Sequence, residues 1–174
     1  MVCLIIAESA IFTIFVVAYL YYIGRDVSGP TPKQVLGWPI LNSICLISSS
    51  FTIMFALRAL SRGSVKSFGV WWLVTILLGG YFLLGTWLEW KDLIFNKGLT
   101  IQTNLFGTTF YSLVGLHAFH VVLGLIALLI VMLLTLAGAV KREHTERAEV
   151  LSIYWHFVDV IWIVVFTVVY VIGR

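Results

Sequence analysis
The sequence predicts an all-α fold, an integral membrane bundle of five transmembrane helices, and three observations predict it. The 174 residues are 61% hydrophobic and only 11% charged, with a mean hydropathy of +1.05, whereas a soluble domain is about a quarter charged. Five apolar runs stand between short polar segments, at residues 2–24, 38–60, 67–90, 103–138 and 148–173. Each meets the roughly 20 helical residues that a hydrocarbon core of about 30 Å requires. The last run also holds His156 and Asp159, three apart on one helix face. A buried carboxylate costs about 2.5–3.5 kcal/mol at a helix centre even on the mildest scale, so that face packs on protein rather than lipid. The chain reads as one transmembrane domain, 1–174.

The first run has no basic segment before it and contains Glu8, so it reads as a span rather than a cleaved signal peptide. After it comes RDVSGPTPKQVLG, where Gly29, Pro30 and Pro32 stop a helix and predict a linker at the headgroups. The second run carries Ser43, Ser48, Ser49, Ser50 and Thr52, small hydroxyl residues that permit close approach and bonds across a helix contact. The third opens on Trp71 and Trp72 and closes on Trp87 and Trp90, positions suited to interfacial belts, and its Gly79 and Gly80 suit a close crossing. KDLIFNKGLTIQ then suggests a short interfacial helix. The fourth run exceeds the bilayer's need and is expected to tilt or protrude. KREHTERAE before the fifth is a solvated charged loop.

The formal charge of +3 comes from 11 Lys and Arg against 8 Asp and Glu. Those cations fall at span ends, where they set orientation and meet headgroups, so no nucleic-acid partner is implied. Arg58, Arg62, Lys66, Lys141, Arg142 and Arg147 fall on the N-terminal side, against Arg25, Lys33, Lys91, Lys97 and Arg174 opposite. The bias predicts a cytoplasmic N-terminus and a periplasmic C-terminus. Cys3 and Cys45 fall at different depths and offer neither a disulfide nor a metal pair.

Inside the spans the ionisable residues are Glu8, Glu89, His117, His120, His156 and Asp159. At 1.5 Å per residue from each midpoint, Glu8 and His156 fall roughly 7 Å inward, while His120 and Asp159 lie within roughly 5 Å of the middle. This predicts pairing of His120 with Asp159, and of Glu8 with His156. Glu89 lies near the outer rim, and His117 and His120 suit backbone carbonyl acceptors. A bis-imidazole haem is disfavoured, since His120 and His156 differ by on the order of 9 Å in depth. The chain therefore has no catalytic, cofactor or metal residue of its own, and Glu8, His117, His120, His156 and Asp159 are structural polar residues of the membrane interior. A proton path through Glu8, His156, Asp159 and His120 is the alternative, opposed by the absence of a polar ladder to the outer side.

FGTTFYSLVGLHAFHVVLGL in the fourth run and YWHFVDVIWIVVFTVVYVIG in the fifth resemble two signature helices of subunit III of haem-copper respiratory oxidases. AESAIFTIF and GGYFLLGTWLEW extend the likeness across nearly the whole chain. By that resemblance Glu8 matches the family's intramembrane carboxylate, His117 and His120 its paired histidines, and His156 with Asp159 its WHFVD motif. The resemblance implies an accessory, non-redox subunit that packs on catalytic subunit I, with subunit II and other respiratory-chain subunits beside it. It also implies bound phospholipid, support of proton uptake, haem and copper in partner subunits, and a bacterial plasma membrane. The five-span form lacks the leading helix pair of longer members and so the full lipid cleft. A secondary transporter or proton channel, and the related subunit of a nitric oxide reductase, are the competing readings.

Overall fold
The computed structural model describes residues 2–23, 37 and 39–173. The linker prolines Pro30 and Pro32, with Gly29, Arg25, Lys33, Trp38 and Arg174, lie outside the described residues. Among the described residues there are five long helices: α1 (Val2–Tyr22), α2 (Ile40–Ser61), α3 (Val65–Phe95), α4 (Leu105–Leu136) and α5 (Thr145–Phe166). A short 3-10 turn, Arg142–His144, leads into α5, which runs on as a π-helix over Thr167–Ile172. All five are long and apolar enough to cross a membrane.

Local chemistry fixes the helix ends. The α2–α3 turn is tight because Gly63 takes φ +81°, a left-handed geometry that costs glycine nothing. Its N–H donates to Leu60 O at 2.8 Å and that of Ser64 to Ala59 O at 2.9 Å. So short a turn makes α2 and α3 antiparallel neighbours, and their contact is the most extensive in the bundle. At the start of α4, the Asn104 side chain accepts the Gly107 N–H at 2.8 Å, satisfying one of the orphan donors of a helix N-terminus.

The helix α3 runs unbroken to Phe95, so KDLIF is its last turn rather than a separate interfacial helix. With 31 and 32 residues, α3 and α4 are each about 47 Å long and outreach the hydrocarbon core. α5 packs on α2 and α4, α4 also on α3, and α1 lies mainly against α4 with a lesser contact to α5.

Large aromatic residues fill the centre. Trp72, Trp155, Trp162, Phe68, Phe82 and Phe110 are fully buried or nearly so. Trp72 is not a belt residue, because it turns inward and donates its indole N–H to Leu128 O at 2.9 Å. The outside is apolar: Ile6, Ile14, Leu77, Leu84, Leu133 and Val160 are all exposed, as expected of a bundle solvated by lipid rather than water.

Candidate functional site
Serines on α2 meet aromatic and ionisable residues on α5 along an antiparallel seam. Trp162 donates its indole N–H to Ser43 Oγ at 3.0 Å, and Trp155 donates to Ser49 Oγ at 2.8 Å. One residue further along both helices, Ser50 Oγ contacts His156 Nδ1 at 2.9 Å and donates to Asp159 Oδ2. Thr52 bonds Thr75 of α3 at 2.8 Å. The hydroxyl run of the second span thus bonds across helix contacts at Ser43, Ser49, Ser50 and Thr52. Sequence reasoning misses the partners on α5, Trp155 and Trp162. Their seven-residue spacing, two helical turns on one face, was the available signal.

The expected pairing of His120 with Asp159 does not occur, nor does that of Glu8 with His156. Instead His120 Nε2 lies 3.0 Å from Glu8 Oε2, and Asp159 shares Ser50 with His156. Depth counted from span midpoints is good to about one turn, and says nothing about which helices are neighbours. His120 faces α1, whereas Asp159 faces α2.

The Glu8–His120 pair is closed by its surroundings. His120 Nδ1 contacts Leu116 O at 2.7 Å, and a carbonyl only accepts, so Nδ1 carries a proton. Nε2 and Glu8 then share one further proton, and the pair is net neutral whichever atom holds it. Tyr154 donates to His120 O at 3.2 Å, and the Phe12 ring lies 5.1 Å from the imidazole. The side chain of His120 is 7% exposed and that of Glu8 22%.

His117, one turn from His120, is fully enclosed. Its ring stacks on Trp162 at 5.0 Å and 29°, and meets Phe82 edge-on at 5.8 Å. Neither ring nitrogen has a hydrogen-bond partner among the described residues. The expected carbonyl acceptor is thus present for His120, within its own helix, and missing for His117. Toward the outer end, Tyr170 donates to the Glu89 carboxylate, 3.1 and 3.2 Å from its two oxygens. Glu89 is therefore half-buried and partnered, more than a rim carboxylate.

What this arrangement can do chemically is hold protons on neutral or shared groups inside the membrane. Among the described residues no three His, Cys, Asp or Glu side chains converge as a metal site would require. On the lipid-facing side of α3 and α4 lies a groove of about 780 Å³ lined by Leu77, Gly80, Leu84, Trp87, Ala118 and Val122 among others. Lys91 stands in an adjoining hollow that shares Trp87.

The whole chain, residues 1–174, matches the family model described as cytochrome c oxidase subunit III. It is 30% identical over 168 residues to cytochrome c oxidase subunit 3 of Alkalihalophilus pseudofirmus, covering 95% of this chain and 82% of that one. It is 36% identical over 157 residues to the probable cytochrome c oxidase subunit 3 of Mycobacterium tuberculosis, covering 87% and 77%. To cytochrome c oxidase subunit 3 of Synechocystis it is 39% identical over 175 residues, covering 98% and 73%. With five apolar helices in one bundle and a match that runs from end to end, the chain belongs to the cytochrome c oxidase subunit III family.

Proposed function
We propose that this chain is the accessory, non-redox subunit III of a haem-copper terminal oxidase in a bacterial plasma membrane. It packs on the catalytic subunit I, with subunit II in the same complex, and contributes to O2 reduction by stabilising the core that carries haem and copper. The observation that carries the reading is the end-to-end family match on a five-helix bundle. The internal geometry agrees with it. Each ionisable group of the interior is paired or enclosed between two particular helices, as in Glu8–His120 and Ser50–His156–Asp159. A secondary transporter would instead line a central path with them, commonly on broken helices.

Support of proton uptake belongs to the same reading, with the proton-sharing Glu8–His120 pair as its candidate element. The groove between α3 and α4 suits an acyl chain, with Trp87 at the interface and Lys91 able to meet a lipid phosphate. Gentle detergent extraction of the tagged chain from its host should co-purify haem-bearing polypeptides in about equal amount. Isolation of the chain with no haem protein at all would overturn the assignment.

A further inference from the structure
The chain His156–Ser50–Asp159 has a consequence at its outer end. Ser50 Oγ has one proton and two partners, His156 Nδ1 at 2.9 Å and Asp159 Oδ2. If Ser50 donates to a carboxylate, it must accept from Nδ1–H, and Nε2 is left as an acceptor. If a protonated Asp159 donates to Ser50, the hydroxyl donates to Nδ1 and Nε2–H is left as a donor. Either way Nε2 retains one hydrogen-bonding role, and among the described residues nothing fills it. The atom is also not sealed in, for it is absent from the enclosed polar atoms that lack partners while His156 is half-exposed.

The open edge of His156 lies within the apolar stretch. It is seven residues, on the order of 10 Å, beyond Glu149, the nearest charged residue on its N-terminal side. On the same face of α5, Ile153 and Val160 are exposed, and on α2, Ile47 and Phe51 beside Ser50 are exposed too. Lipid tails can neither donate nor accept there, so a surface left to lipid would carry an unmet polar edge. The α3–α4 groove on another side is by contrast lined mainly by apolar side chains, among them Ile76, Leu77, Leu83 and Leu84, with Gly80 open.

We propose that the exposed stripe of α5 around Ile153, His156 and Val160, with the edge of α2, docks a transmembrane helix of another subunit. That helix places a hydroxyl or amide side chain, able to donate or accept, against His156 Nε2. The inference rests on the reading of the chain as a subunit of a membrane complex, and adds which face is used and what chemistry the partner offers.

The test uses the intact complex in its native membrane. Val160→p-benzoylphenylalanine and, as comparison, Leu84→p-benzoylphenylalanine carry a photo-crosslinker at two exposed positions, 57% and 65% accessible. Illumination should join position 160 to an oxidase polypeptide, and position 84 to lipid. In the same complex His156→Leu should lower co-purified haem per chain by ~10-fold, about one buried hydrogen bond, and His156→Gln by much less. Lipid adducts alone at position 160, or full haem retention by His156→Leu, would overturn the proposal. The two failures are separable: if no haem protein accompanies even the unmodified chain, the subunit assignment is what falls, and this inference falls with it.

Discussion

Glu8 and His120 show how an ionisable pair is kept in a membrane without a net charge. Because Nδ1 is committed to Leu116 O, Nε2 faces Glu8 and the two share one proton at 3.0 Å. Glu8→Gln keeps the shape and a donor for Nε2, so assembly should stay within about twofold of the original by co-purified haem. Glu8→Lys sets an ammonium against an imidazole edge and should abolish it. Normal assembly of the Lys variant would place Glu8 against water or headgroups. A double-mutant cycle with Glu8→Leu and His120→Leu should show a coupling of about 1 kcal/mol in thermal stability, and strictly additive losses would mean no interaction. Ser50→Ala is expected to cost about 1–3 kcal/mol, because it strips Asp159 Oδ2 and His156 Nδ1 of their common partner. A variant as stable as the original would show that the hydroxyl bridges nothing. The identity of these residues as interior polar groups was legible in the sequence, since ionisable side chains are rare in apolar runs. Their pairing was not. Helical rise gives depth, but the choice between α1 and α5 as the neighbour of His120 depends on how the helices are arranged around one another.

At the scale of the elements, one tryptophan joins three helix contacts. The ring of Trp155 lies over Gly79 of α3 and Gly124 of α4, and its N–H is held by Ser49 of α2. A Cβ at Gly79 would stand 2.8 Å from the ring, and one at Gly124 also 2.8 Å, closer than carbon atoms pack. The ring cannot easily retreat, being anchored at Ser49. Gly79→Ala should therefore lower stability by about 1–3 kcal/mol through overpacking, while Gly80→Ala, which meets open space, should change it little. Trp155→Phe, with a smaller ring, should recover part of the Gly79→Ala loss. Equal melting temperatures for the two alanine variants would remove Trp155 from that crossing. The sequence marked both glycines as a close crossing, and the structure divides them: Gly79 faces the bundle and Gly80 the groove. Helix periodicity separates adjacent residues by 100°, so only one of two neighbours can face a given contact. Trp72 likewise departs from the interfacial position expected of it. A tryptophan near a span end suits a headgroup belt, yet here Leu128 O offers its N–H an acceptor inside the bundle.

At the scale of the whole molecule, the placement of cations predicts an orientation. Arg58 and Arg62 close α2 and Lys66 opens α3, while Lys141, Arg142 and Arg147 surround the entry to α5. With five spans, these two connections lie on the same side of the membrane. At the other end the described cations are Lys91 and Lys97, and Lys97 is paired with Asp92 at 3.0 Å. Lys and Arg close to span ends, rather than net charge, decide which side stays in the cytoplasm, so the glutamates Glu143, Glu146 and Glu149 do little to weaken the bias. The bias predicts a cytoplasmic six-cation side and a periplasmic α3–α4 connection. This can be read by labelling intact cells with a membrane-impermeant maleimide after Cys3→Ser and Cys45→Ser remove the native thiols. Asn96→Cys, at the end of α3, should react in intact cells. Glu143→Cys should react only after the membrane is opened, and the reverse pattern would invert the topology and place the Glu8 half of α1 toward the periplasm.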